Sequence, residues 1–285
     1  MAIDVISAFV RSLSFLALFQ AAGVAIFVAL FGRRLLAAAA PVRRLGFVSS
    51  LAGIALVSAH YALEAARMAG EMSGAFDASL QRLVLDSPLS AAWVLRTTGL
   101  ALIAASIRNE SKLAAVFGVI GALVLVQAFA LVGHTASDKE HVWLSGLLGL
   151  HLGIVAFWFG ALWPLHIVSR TESAAGAAVL VDEFSQLALW LVPAIFVAGV
   201  LMIAMLVDRW SVFRQSYGVL LLAKIAGFAA LMGLAALNKW RYGPALATTP
   251  AAGVAFRRSV AVEYGLICAV LAATAIMTTF FSPEQ

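Results

Sequence analysis

One cysteine in 285 residues, Cys268, leaves no partner for an intrachain disulfide. It falls inside an apolar stretch, where it reads as a small buried hydrophobe. Charge is scarce as well, because 12% of the residues are Asp, Glu, Lys or Arg and 63% are hydrophobic. With a mean hydropathy of +1.00, too little polar surface remains for a water-soluble globule. The chain has no Cys-x-x-Cys-His for covalent haem, no Walker motif for ATP and no nucleophile with a positioned base. A primary pump and a hydrolase are thereby disfavoured. The longest connection between apolar runs, near Gly70 to Pro88, has about twenty residues, too few for a folded extramembrane domain.

Eight apolar runs of the length a membrane helix needs, roughly 20 residues, fill nearly all of the chain. They predict spans over Val5 to Phe31, Leu45 to Ala69, Leu89 to Ile107, Leu113 to Val132, Val142 to Val168, Phe184 to Val207, Tyr217 to Leu237 and Ser259 to Phe281. The expected fold is all-α, a polytopic membrane protein whose residues 1–285 form a single bundle of eight transmembrane helices in the lipid bilayer. Its start, Met-Ala-Ile-Asp, lacks the basic n-region of a cleavable signal, so the first run is expected to stay as helix one. Pro193 removes a backbone donor inside the sixth span and predicts a kink there. Gly118, Gly121, Gly146, Gly149, Gly153, Gly160 and Gly199 predict close helix approach.

A net charge of +5 and a pI near 9.8 arise from loops rather than from a nucleic-acid surface, so no nucleic acid is expected as partner. Eleven basic residues, among them Arg33, Arg34, Arg43, Arg44, Lys239 and Arg241, fall on one side of the eight spans; four, Arg82, Lys139, Arg209 and Arg214, fall on the other. The richer side is expected to face the cytoplasm. Both termini are then periplasmic.

Depth along each helix, at about 1.5 Å per residue, gathers ionisable groups into one layer. His60 and His151 lie about 13 Å below the periplasmic ends of their helices, Arg96 and Lys224 about 10 Å, and Arg11 about 9 Å. Charges at such depth are costly, so they turn inward, pair, and mark functional paths. His60, Glu64 and Met68 recur every four residues, with Arg67 three beyond Glu64, so one face of helix two carries an imidazole, a carboxylate and a thioether. His134 ends helix four and His151 follows on the adjacent antiparallel helix. Imidazole suits metal ligation because one ring nitrogen binds while a partner orients the other. Met202 and Met205 add soft thioethers suited to Cu(I) near the mouth.

Gly133-His134, His151 followed by Trp158-Phe-Gly160-Ala-Leu-Trp-Pro164, Phe184-Ser185-Gln-Leu-Ala188, Tyr217-Gly218 through Lys224, Leu237-Asn238-Lys-Trp-Arg through Pro244, and Arg257-Arg258-Ser-Val-Ala-Val-Glu263 stand in this order. In these segments the chain resembles the copper resistance D family of bacterial inner-membrane proteins. The resemblance is strongest over residues 130–285, and the first 130 match mainly in hydropathy. It implies copper transport or uptake at the inner membrane rather than an enzyme, beside a periplasmic copper-binding partner of the CopC type. It also implies copper ligation by His134 and His151, with His60 added, and Glu64, Met68, Met202 and Met205 in support. Leu148 stands where members often carry Asp one turn before the helix-five histidine, and the chain has no Met-rich or His-rich extension.

Charge balance opens an alternative. Arg11, Arg67, Arg96 and Lys224 face only Glu64 on the helices, and each unpaired like charge at about 6 Å costs an incoming cation about 3 kcal/mol at an effective dielectric near 20. Inward histidines beside a basic excess would suit haem b, with the cations on its propionates. A copper ion, as Cu(I), and haem b are the two candidates.

Overall fold

The computed structural model describes residues 2–132, 141–206 and 216–280. Helix α1 spans Ala2–Phe31 and α2 spans Ala39–Ala69; α3, α4 and α5 follow at Ala78–Leu85, Pro88–Ser106 and Lys112–Gln127. Beyond them run α6 at His141–Thr171, α7 at Ala174–Leu206, α8 at Ser216–Leu237 and α9 at Pro250–Phe280. The described residues hold no strand. Eight of these helices, all but α3, are long and apolar enough to cross a membrane.

Three helices begin well before the apolar runs that announced them. α2 starts at Ala39 rather than Leu45, α7 at Ala174 rather than Phe184, and α9 at Pro250 rather than Ser259. Hydropathy marks where lipid begins, whereas a helix continues as long as its backbone donors are satisfied. At the start of α2 the N–H groups of Leu36 and Ala38 donate to the Glu172 carboxylate at 2.7 and 2.9 Å. The connection after α2, too short for a domain, nonetheless contains the amphipathic α3. Gly70 ends α2 in the left-handed region at φ 77°. Asp77 then caps α3 through the N–H groups of Ser79 and Leu80. The Ser79 hydroxyl and these backbone donors hold its carboxyl below the ordinary Asp range. Ser87 caps α4, whose first residue is Pro88, and Ser111 caps α5.

Helix α1 is the axis of the bundle and packs against α2, α5, α6 and α9. Leu18, Phe19, Ala21, Ala22, Val24 and Phe27 are all buried, so α1 is apolar all round because protein, not lipid, surrounds its middle. Its closest crossing is with α6. A Cβ built on Gly23 would lie 1.9 Å from the Ala156 carbonyl oxygen, and one on Gly160 would lie 2.4 Å from Gly23 Cα. Gln20 donates to the Gly160 carbonyl at 3.1 Å at the same crossing. Gly99 and Gly121 bring α4 and α5 together in the same way, but Gly146 and Gly153 meet nothing within 4 Å. Those two serve an apolar surface groove between α5 and α6 rather than a crossing. α7 is peripheral, with Trp190 80% exposed toward the surroundings, and its helix runs on through Pro193.

Candidate functional site

Alternation of the spans puts the start of α1, the ends of α2, α5, α7 and α9, and the starts of α4, α6 and α8 at one end of the bundle. There α1 presents Asp4, Ser7 and Arg11, spaced three and four apart, to a matching row on α2, His60, Glu64 and Arg67. Ser7 Oγ and His60 Nδ1 are 3.4 Å apart. His60 Nε2 is 3.6 Å from Glu64 Oε1. Arg67 donates to both Glu64 oxygens, at 3.1 and 3.0 Å, and its Nε reaches Asp4 Oδ1 at 3.4 Å. A continuous polar chain therefore runs from Ser7 through His60, Glu64 and Arg67 to Asp4.

Arg11 and Arg96 border this chain. Arg11 donates to the Thr278 carbonyl at 3.3 Å, which satisfies an acceptor in the last turn of α9. The Arg96 guanidinium lies 4.3 Å from the Phe129 ring centroid, a cation–π contact from α4 to the turn after α5. Its Nε finds no hydrogen-bond partner among the described residues. The charges acting on His60 are those of Arg11, Arg96 and Arg67. Three guanidinium groups therefore stand against two carboxylates, Glu64 and Asp4. Asp4 precedes the first apolar run and had no place in the charge balance read from the helices alone.

His151 occupies a second polar spot. Its ring rests against α7, where a Cβ on Gly199 would come 3.7 Å from Cε1, and it interacts with the main chain at Ile195. Among the described residues its buried Nδ1 has no hydrogen-bond partner. The cation acting on it is Lys224 of α8, and Phe196 stacks on Phe228 with ring centroids 6.3 Å apart to join α7 and α8 beside it. Arg11, Glu64, Arg67 and Arg96 thus gather around His60, while Lys224 goes with His151. Met202 follows Gly199 by one turn and is half-buried, as is Met205. Met68 is 57% exposed in the last turn of α2 and turns away from the chain of contacts. His134 lies outside the described residues. Among the described residues no three His, Cys, Asp or Glu side chains form a group able to hold a metal ion.

These features define a membrane-embedded bundle with ionisable clusters recessed at one end. A model described as copper resistance protein D-like, N-terminal domain, matches residues 2–143, and one described as copper resistance protein D matches residues 178–277. The first match extends the likeness over the stretch where the sequence reading saw mainly hydropathy. The chain is also 29% identical over 270 residues to copper resistance protein D of Pseudomonas syringae pv. tomato, covering 86% of this chain and 85% of that protein. No solved structure matches the chain. The protein belongs to the copper resistance D family.

Proposed function

We propose that this protein is a transporter, not an enzyme, that moves copper across the bacterial inner membrane through the end of the bundle that holds His60 and His151. Membership of the family supports a role in copper resistance or transport. The observation that carries the finer reading is the His60–Glu64 pair, 3.6 Å apart and recessed between α1 and α2. Neutral imidazoles take Cu(I) without adding charge, and two or three soft or borderline ligands satisfy it. Asp4 and the removal of Lys224 to the His151 spot lower the repulsion an entering cation meets. His151, with an unpartnered Nδ1, offers a second imidazole, with Met202 one turn nearer the mouth. His134, at the end of the span before α6, is the third. The end carrying these groups faces the periplasm, where a copper-binding protein of the CopC type would deliver the ion. The two family-matched segments act as one domain, because α1 packs against α6 and α9 as well as against its own half.

One observation favours a second reading. Arg11, Arg67 and Arg96 around His60 would suit the propionates of haem b. His60 has polar neighbours at both nitrogens, however, and His151 belongs to a different cluster, so the two do not form an evident axial pair. Copper content and the visible spectrum of the purified protein separate the readings. A Cu(I) site is colourless and haem gives a Soret band.

A further inference from the structure

Away from His60 and His151, α9 carries Glu263 with only 2% of its surface exposed. Its Oε1 has no hydrogen-bond partner, and it takes part in none of the ion pairs among the described residues. The neighbour that does act on the carboxyl is the side-chain amide of Asn238. Asn238 is 8% exposed and its Oδ1 also lacks a partner; Ser259, 7% exposed, lies one turn before Glu263 on the same face and has an unpartnered Oγ. Three residues from two elements are therefore more than nine-tenths buried with an unpartnered side-chain oxygen, and two of those oxygens, Glu263 Oε1 and Asn238 Oδ1, are acceptors without a donor among the described residues.

Asn238 is placed by an unusual piece of backbone. α8 passes at this residue into a π-helical turn, Asn238–Tyr242, and the Asn238 carbonyl accepts the N–H of Gly243. A Cβ on Gly243 would sit 3.0 Å from that carbonyl oxygen. Such widened turns occur mostly as single turns and often at functional sites.

The ionisable groups on the elements packed against this part of α9 are Lys239, Arg241 and Tyr242 in the π turn and His166 and Arg170 on α6. α9 itself adds Arg257, Arg258, Tyr264 and Cys268, and α1 brings no ionisable group between Arg11 and Arg33. None of them pairs with Glu263. Arg257 donates to the Ser169 carbonyl at 3.1 Å, His166 stacks on Trp163 and Tyr264 stacks on Phe159. A carboxylate so far from water is either paired with a cation or neutralised by a proton. A proton on Glu263 also gives the two acceptor oxygens, Glu263 Oε1 and Asn238 Oδ1, a donor between them. Bound to Glu263 Oε1, it supplies an O–H that Asn238 Oδ1 or Ser259 Oγ can accept.

We propose that Glu263, with Asn238 and Ser259, forms a proton-binding site within the membrane, separate from the His60 cluster, and that its proton is the ion coupled to transport. The proton adds to a carboxylate oxygen and leaves from it, and no other bond changes. Coupling rests on the copper-transport reading, whereas the proton site stands without it.

Infrared difference spectra of the copper-free protein in lipid bilayers, at several pH values in water and in deuterium oxide, test the site. The expected result is a carboxylic-acid carbonyl band at neutral pH that shifts on deuteration, is lost in Glu263→Gln and is kept in Glu110→Gln. Gln has the shape of the protonated acid, so Glu263→Gln is expected to elute and melt like the wild type. Absence of the band, its survival in Glu263→Gln, or its loss on adding sodium chloride at constant pH overturns the site. Cuprous-ion uptake into proteoliposomes tests the coupling. A pH gradient should change the wild-type rate several-fold and leave Glu263→Gln unaffected, and equal responses overturn the coupling. Wild-type protein that takes up no copper ends both the transport reading and the coupling, while the infrared band still decides the proton site.

Discussion

His60 Nε2 stands 3.6 Å from the Glu64 carboxylate, one turn along α2. That gap is longer than a hydrogen bond. Two ligands that each bind one ion at about 2.0 Å, with about 120° between them, lie about 3.5 Å apart, so the pair can admit an ion without spreading the helices. Arg67 fixes the arrangement by holding both Glu64 oxygens, and Asp4 in turn accepts from the Nε of that guanidinium.

Removing the carboxylate therefore costs more than a ligand. Glu64→Ala leaves Arg67 with Asp4 as its remaining carboxylate contact in this cluster and is expected to destabilise the protein by about 1.5–3 kcal/mol, the range for hydrogen bonds to charged groups. Arg82→Ala, on the exposed face of α3, should stay within about 0.5 kcal/mol. Thermal unfolding in detergent checks both. Equal midpoints for the two variants would remove Glu64 from any structural role in the cluster.

The crossing of α1 and α6 sets a second expectation. Gly23→Ala forces a methyl to within 1.9 Å of the Ala156 carbonyl oxygen, which is backbone and cannot rotate away. Its cost should reach or exceed the upper end of the about 1–3 kcal/mol typical of overpacking. Gly153→Ala, on α6 with nothing within 4 Å, is the control and should be neutral or slightly stabilising. Yield of folded protein and melting temperature distinguish them.

Hydropathy made the eight spans legible because lipid demands long apolar runs. It could not fix helix ends, since Ala39 to Arg44 and Ala174 to Glu183 are helical outside the apolar runs that marked their spans. Depth along each helix was readable from the rise per residue, and it put Arg11, His60 and Arg96 at similar levels. Angular position was not readable without knowing which helices touch. For that reason Lys224, at similar depth, sits by His151 instead. Asp4 escaped notice because it precedes the apolar run and its partner, Arg67, is on the next helix. Glu263 and Asn238 were visible within segments resembling the family, yet only their burial and missing partners mark them as a site.

Orientation follows from the uneven basic loops. Reporter fusions in the connections holding Arg33 to Arg44 and Lys239 to Arg258 should read cytoplasmic, and both termini periplasmic. The Arg34–Glu183 ion pair, with Nε 2.8 Å from the carboxylate, and the Arg43 contact to the Ile107 carbonyl at 2.8 Å tie some of these basic residues to the helix ends on that side. They do not consume the excess. A periplasmic signal from either connection would reverse the bundle and place the His60 cluster on the cytoplasmic side.

The histidines give the most direct test of copper binding. His60→Ala removes the imidazole beside Glu64, and His151→Ala removes the one whose Nδ1 has no partner among the described residues; each should lower copper bound per protein and cellular copper accumulation. His134→Ala should act in the same direction if the third imidazole joins them. Because His60 and His151 lie in different clusters with different cations, Arg96 and Arg11 against Lys224, single replacements should leave partial binding and the double replacement should abolish it. His166→Ala, whose ring stacks on Trp163 at a centroid distance of 5.3 Å, should leave copper stoichiometry unchanged. Unchanged copper in every histidine variant, together with a Soret band in the purified protein, would replace copper with haem at this end of the bundle.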